Sequence, residues 1–177
     1  MERENTLILY STNNDNTFAY EGIADVYDKN INIQVYKEDI DIENNTCIGT
    51  WANAEIVQME SLQEIEIYFV PDGFTIEEWK DVIRVTPNYE FPVKTKDNKI
   101  INKYAYLLET GDELLFEETQ YNTNNDGVID GEQKLFTRSI SKILKVDLDK
   151  PKYFYNFKLS NNQNYYLLPN GNIIKSI

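Results

Sequence analysis

The stretch Lys152-Tyr153-Phe154-Tyr155-Asn156-Phe157-Lys158-Leu159 decides the fold class. Tyr153, Tyr155, Phe157 and Leu159 alternate with Lys152, Asn156 and Lys158, a period of two that puts the first set on one face of an extended strand. A strand needs neighbours, and the flanks supply them. Beyond it, Ser160 to Asn164 reads as a turn into a returning strand from Tyr165 to Leu168, and Pro169-Asn170-Gly171 as another turn before Asn172 to Ile177. Before it, Lys134 to Val146 fits neither period, and a strand followed by a short helical turn would satisfy it.

The same signals recur towards the start of the chain. Thr6 to Tyr10, Phe18 to Tyr27, Ile31 to Tyr36, Cys47 to Trp51 and Leu62 to Val70 are short, rich in Ile, Val, Tyr and Phe, and bounded by Asn, Asp, Gly or Pro. Lys103 to Glu109 and Glu113 to Tyr121 flank Thr110-Gly111-Asp112, which predicts a hairpin. Glycine is scarce, at 7, whereas asparagine occurs 21 times, so Asn is expected to supply many turn conformations. One segment departs from the pattern. In Thr75 to Arg84, Ile76, Trp79 and Ile83 fall on one helical face, and Thr75 and Glu78 have capping-box spacing, which predicts a short helix docked through Trp79. The fold expected is mainly β, with α+β as the variant: an antiparallel sheet or meander, or a distorted barrel-sandwich, with one short α-helix near residues 75–84. At 177 residues a single domain over 1–177 is expected, with Thr86 to Lys99, which holds two prolines, as the place for a boundary between lobes.

Composition narrows the chemistry. The chain has no histidine, which removes Ser-His and Cys-His nucleophile pairs. Cys47 is the single cysteine, so neither an intramolecular disulfide nor a Cys/His zinc site can form, and the residue reads most simply as a small buried hydrophobe. Trp51 and Trp79 read as core anchors. The opening MERENTLILY resembles neither a signal peptide nor a lipidation motif, and no apolar run reaches the roughly 18 residues that span a bilayer. A cytoplasmic protein without membrane contact is expected.

Net charge is -13. Residues 1–90 hold 19 acidic and 5 basic side chains, whereas the rest hold 11 and 12, so the surplus is N-terminal. From Glu38 to Trp79 there are eleven carboxylates and no Lys or Arg. Such a field repels phosphates, which argues against direct nucleic-acid binding, and attracts basic protein surfaces. In Asp39-Ile40-Asp41-Ile42-Glu43 and in Glu64-Ile65-Glu66-Ile67, acids alternate with Ile, so extended backbone would gather each set on one face. A solvated outer sheet face would show the same alternation. The interval without a base favours a negative array formed by Asp39, Asp41, Glu43, Glu64 and Glu66.

The stretch Asn122 to Gln133 resembles the calcium loop of EF-hands and dockerin-like repeats. Oxygen ligands fall at alternate positions (Asn122, Asn124, Asp126), followed by Gly127, Ile129 and Asp130. The first position is Asn instead of Asp, the twelfth is Gln133 where a bidentate Glu is expected, and the flanks read as strands. An Asn-Asp-Gly turn between two strands is the preferred reading, with Asn122, Asn124, Asp126 and Asp130 as the metal candidates. Six aromatics between Tyr153 and Tyr166 suit either cross-strand core packing, which is preferred, or an interface.

No spacing selects a pair of catalytic carboxylates, so no cofactor and no catalysis are expected. The function expected is a non-enzymatic acidic binder that occludes a basic, nuclease-like surface of a partner, as an immunity protein or a phage-encoded anti-defence inhibitor does. The alternatives are a structural or receptor-contacting β module of a phage tail or similar assembly, and a calcium-dependent binding module. No family resemblance extends over a meaningful length.

Overall fold

β-branched and aromatic residues recurring among polar ones draw the chain into two strands far beyond the usual five or six residues, Thr46–Tyr68 and Lys142–Leu159. A computed structural model describes residues 2–3, 6–12, 19–70, 75, 82–123, 129–159, 165–168 and 171–177. In chain order its elements are β1 (Glu2–Arg3), β2 (Leu7–Ser11), β3 (Ala19–Gly22), α1 (Ile23–Lys29), β4 (Ile33–Asp41), β5 (Thr46–Tyr68), β6 (Val82–Val85), β7 (Glu90–Lys94), β8 (Ile100–Tyr104), β9 (Glu113–Thr123), β10 (Ile129–Ser139), β11 (Lys142–Leu159), β12 (Tyr165–Leu167) and β13 (Ile173–Lys175). A 3-10 turn covers Ala105–Leu107. Every strand pairing is antiparallel.

β5 and β11 form the central ladder, from Leu159 opposite Ala54 to Lys142 opposite Tyr68, with a register shift between Asp147 and Lys152. The first part of β5 pairs with β4, and its last four residues pair with β6. β9 and β10 make a second long hairpin, which touches β5 at one register pair, Lys134 opposite Thr46, reinforced by Leu135 N–H donating to Asn45 O at 2.9 Å. The main core gathers Ile65, Ile67, Ile83, Val85, Phe91, Phe154, Phe157 and Tyr166. A smaller core of Leu115, Leu135 and Ile173 sits by the β9–β10 hairpin, with Ile40 and Ile42 of the β4–β5 hairpin packed against it.

The mainly β, antiparallel class predicted from period-two alternation is the class observed. Asparagine supplies the turns: the positive-φ non-glycine residues among those described are Asn30, Asn45 and Asn98. Asn45 closes the β4–β5 hairpin, where the Asp41 carboxylate accepts from Asn44 N–H at 3.2 Å and from its side-chain amide at 2.8 Å. Five local expectations change.

The described α-helix lies at Ile23–Lys29, overlapping the second half of the stretch Phe18 to Tyr27 expected to be strand. Ile23 and Val26, one helical turn apart, bury the same face, and Asn30 ends the helix in left-handed conformation, its N–H donating to Tyr27 O at 3.1 Å. Within the predicted 75–84 helix, Val82, Ile83 and Arg84 are strand, because Ile83 and Val85 are buried alternately beside β5. Residues 76–81, with Trp79, lie outside the described ones.

The expected hairpin about Thr110-Gly111-Asp112 does not pair with itself: β9 joins β7 and β10, β8 joins β7, and Gly111, at φ 93°, donates to Ile140 O at 2.9 Å. The segment 86–99, read as a connection, contains β7. In β11 the residues Phe154 to Phe157 are all buried, since Tyr27 of α1 packs on Tyr155 at 5.5 Å and Tyr166 packs on Phe157 at 4.8 Å. Burial on both faces erases the alternation that marked the strand.

Gly49 shows how tightly the β4–β5 face is filled. It lies opposite Glu38, diagonal to Tyr36, whose ring packs edge-on against Trp51 at 5.3 Å. A Cβ at position 49 would stand 1.9 Å from Tyr36 Cε1. Gly49→Ala is expected to destabilise the fold by about 1–3 kcal/mol through overpacking. Adding Tyr36→Ala should abolish that increment, so a double-mutant cycle in urea that shows additive losses would contradict the packing.

Candidate functional site

Both extremes of the described chain arrive at one stretch of β11. Glu2 lies opposite Tyr155 and Val85, and Arg3 opposite Phe154. Ile177 N–H donates to Phe157 O at 3.0 Å. The segments 2–3 and 175–177 are thereby fixed by backbone bonds to neighbouring residues of a rigid ladder, and Thr86 follows directly on the residue that pairs with Glu2.

A cleft of about 560 Å³ opens at this meeting point, with Thr86, Tyr89, Glu90, Asn156, Lys175 and Ser176 among its walls. The turn after β6 places Thr86 and Tyr89: Tyr89 N–H donates to Thr86 O at 3.1 Å, and the Tyr89 carbonyl accepts from Ala105 N–H at 2.7 Å. Pro87 suits such a turn because its φ is preset. Tyr106 N–H donates to Pro87 O at 3.0 Å, so the Tyr104–Tyr106 stack, 5.5 Å between rings, forms the outer lip.

Behind the cleft runs a buried polar chain. Asn156 Oδ1 accepts from its neighbour's backbone, Phe157 N–H, at 2.7 Å and from Tyr166 O–H at 3.0 Å. Because Tyr166 spends its proton there, the 3.0 Å contact between the hydroxyls has Tyr89 as donor. Thr86 Oγ1 is buried and has no hydrogen-bond partner. At the other wall, Lys175 Nζ stands 3.1 Å from a Glu90 carboxylate oxygen and donates to Ser176 O at 3.3 Å. A fixed ammonium therefore polarises the carbonyl of the Ser176–Ile177 peptide bond, which is the first requirement for acyl chemistry at that bond.

None of these residues is a sequence-stretch neighbour of all the others, and no spacing in the chain announced the cleft. Thr86 to Tyr89 read as connection, and Lys175 and Ser176 as strand end. The signal that existed was the buried, polar Asn156 amid aromatics, and it read as the wet side of an alternation.

The five acids expected to make one array are separated. Asp39 and Asp41 lie opposite Ile48 and Thr46 at the start of β5, while Glu64 follows Thr46 by eighteen residues on the same strand, about 60 Å of extended chain. Asp39, Asp41 and Glu43 are exposed, and Asp39 pairs with Lys37 at 3.0 Å. Glu64 is 2% exposed, and Glu66 is half-buried, 3.7 Å from Arg84 and accepting from the Tyr68 hydroxyl. Of the calcium candidates, Asn122 and Asp130 face each other across the β9–β10 hairpin, with strands on both sides, and Asn124 and Asp126 lie outside the described residues. Gln133, the twelfth position of that loop, instead accepts from Gly49 N–H at 3.2 Å across the seam to β5.

A second buried cluster sits away from the cleft, where Glu38 of β4, Cys47 of β5 and Glu117 of β9 bring ligand-type atoms within 4.8 Å of one another. Burial first, then the facing Glu117, pushes the Glu38 carboxyl up to about 9. Burial, with the two carboxyl groups adding to it, pushes the Cys47 thiol up to about 12, and Cys47 is buried as its reading as a small buried side chain expects. No helix among the described residues is long and apolar enough to cross a membrane.

No protein-family model matches the sequence, and no curated protein matches it. The fold has clear counterparts among solved structures. An intein from a hyperthermophile superposes with a TM-score of 0.68 at 10% identity, covering 99% of this chain and 98% of its own. The transcription factor IIB Mvu mini-intein gives 0.67 at 16% identity over 99% and 100%. The PabCDC21-1 intein gives 0.65 at 17% identity over 99% and 98%. These likenesses correct four expectations. Inteins are self-splicing domains, so the acidic inhibitor and nucleic-acid mimic and the phage-tail module are not what this architecture resembles. The inteins it resembles in fold catalyse protein splicing and sit within a host protein, so the expectations of no catalysis and of a basic, nuclease-like partner lose their support as well.

The buried Glu38 carboxyl gives a pH test of the second cluster. Its folded value lies above that of an unfolded glutamate, so between about pH 4.5 and 9 the unfolded state ionises while the folded state keeps the proton. Stability is therefore lost as pH rises through that window. In metal-free buffer, Glu38→Gln should match the parent's melting temperature near pH 4 and exceed it increasingly towards pH 9. Parallel melting curves at all pH values would show that the carboxyl is not desolvated.

Proposed function

We propose that the chain is an intein-like domain that breaks a peptide bond at its own junction, holding the polypeptide on either side of it in the cleft where segments 2–3 and 175–177 meet. The observation that carries this is the docking of both segments on Phe154 to Phe157, beside a buried Thr86 hydroxyl with no partner. The likeness in fold to inteins supports it. Chemistry at a junction requires both chain segments in one frame, because fixed orientation replaces an encounter between separate molecules.

The Ser176–Ile177 bond is the reactive one. Lys175, held by Glu90, draws density from the Ser176 carbonyl and stabilises the oxyanion that forms on attack. Water adds to the carbonyl carbon, the C–N bond breaks, and the products are a carboxylate on Ser176 and an amine on Ile177. The Thr86 hydroxyl donates to a carbonyl of the entering segment. With no histidine in the chain, proton movement falls to hydroxyl and ammonium groups whose ordinary pKa values lie far from neutrality, so the reaction is slow.

The test places the chain between two reporter domains and follows the fusion by intact mass. Release of the downstream reporter at the 176–177 bond is expected, slowed by about 10²-fold in Lys175→Gln, the usual effect of removing one oxyanion donor. A folded fusion that keeps both reporters attached through prolonged incubation would sink the catalytic assignment.

A further inference from the structure

The Glu38, Cys47 and Glu117 cluster lies outside the cleft and plays no part in its chemistry. Its three side chains come from two hairpins, β4–β5 and β9–β10, that meet in a thin seam: one register pair, the Leu135–Asn45 backbone bond and the Gln133 contact to Gly49 N–H. Glu38 and Cys47 project from one face of the β4–β5 hairpin, since Glu38 is opposite Gly49 and Cys47 opposite Ile40. The Tyr36 ring fills the space over Gly49 on the same face, beside the carboxylate. Glu117 reaches across from β9, its backbone N–H anchored to Gly171 O at 2.8 Å.

Burying such groups together without compensation is costly. Glu38 is 2% exposed, both of its oxygens are shut off from water, and the groups that face them are the Cys47 thiol and the Glu117 carboxyl. Cys47 is 3% exposed. Two carboxyl groups and a thiol face one another in a space that supplies acceptors and asks for a cation. We infer that Glu38, Cys47 and Glu117 form a binding site for a divalent cation of the zinc class, which ties the β4–β5 hairpin to the β9–β10 hairpin.

The donor set selects the ion. A thiolate sulfur with two carboxylate oxygens suits zinc or cobalt, whereas calcium and magnesium require all-oxygen shells of six or more ligands. Around tetrahedral zinc, sulfur and oxygen ligands stand roughly 3.4–3.6 Å apart, so a separation within 4.8 Å leaves about an ångström of closure, within the reach of side-chain rotamers. Three protein ligands leave a fourth position for water on the half-buried Glu117 side, which is also the route of entry. Binding expels the Cys47 thiol proton and the Glu38 carboxyl proton to solvent, giving two S/O-to-metal bonds in place of two bonds to hydrogen.

The test uses the full-length chain, stripped with chelator and titrated with Co²⁺ and, separately, Zn²⁺. One Co²⁺ per chain with a near-ultraviolet thiolate-to-cobalt charge-transfer band is expected, together with a higher melting temperature in Zn²⁺ than in chelator. The band should vanish in Cys47→Ser, and Glu38→Gln should weaken binding by about 10- to 100-fold. The parent protein alone can overturn the inference: no charge-transfer band and unchanged melting in Zn²⁺ would mean that the carboxyl groups share protons in an ion-free core. A band retained in Cys47→Ser, or equal stabilisation by Mg²⁺, would overturn it as well. None of these readouts depends on peptide-bond cleavage, so the site stands or falls apart from the proposed function.

Discussion

The antiparallel ladder between β5 and β11 is the constraint on which the rest depends. It carries β4 and β6 along β5, receives β1 and the last residue of the chain along β11, and supplies the aromatic centre of the core. A ladder this long cannot slip by one residue without exposing Ile65, Ile67 and Phe157 and burying their polar neighbours. The register shift between Asp147 and Lys152 is its single tolerated irregularity, and it lies where the flanking residues are exposed or half-buried. Because the ladder is fixed, the segments bonded to Phe154 through Phe157 are fixed with it, and the cleft inherits a rigid floor.

The two polar clusters answer the same physical problem differently. In the cleft wall, Asn156, Tyr166 and Tyr89 satisfy one another in sequence, so neutral groups can be buried at small cost. At the seam, two carboxyl groups and a thiol face one another, and burial raises the pKa values of Glu38 and Cys47. Hydroxyl chains settle into a core as they stand. A thiol and two carboxyl groups settle only by retaining protons or by acquiring a cation, and this is why the seam, and not the cleft, points to a metal.

Net charge proved a poor guide to function. The surplus of the first ninety residues is real, yet the pairing of Asp39 with Lys37 on its own strand and of Glu66 with Arg84 on the neighbouring one, together with the burial of Glu38 and Glu64, divides it into local problems. Charge is a statement about surfaces, and sequence distance does not say which residues reach one. The same limit explains the helix expected near 75–84, where Val82 to Val85 are held extended by β5.

What the sequence determined by itself is what local physics enforces. Alternation and β-branched residues favour strands, asparagine supplies left-handed turn positions at Asn30, Asn45 and Asn98, and the absence of histidine removes Ser-His and Cys-His pairs from the chemistry. The helix at Ile23–Lys29 was legible too, from the spacing of Ile23 and Val26 and the Asn30 cap, but β-branched residues masked it. What only the tertiary structure decided is which distant residues meet: Thr86 with Ser176 at the cleft, and Glu38 with Cys47 and Glu117 at the seam. Strand order and register set those meetings, and both arise from the burial of whole sheet faces, a property of many strands together that no single stretch of chain encodes.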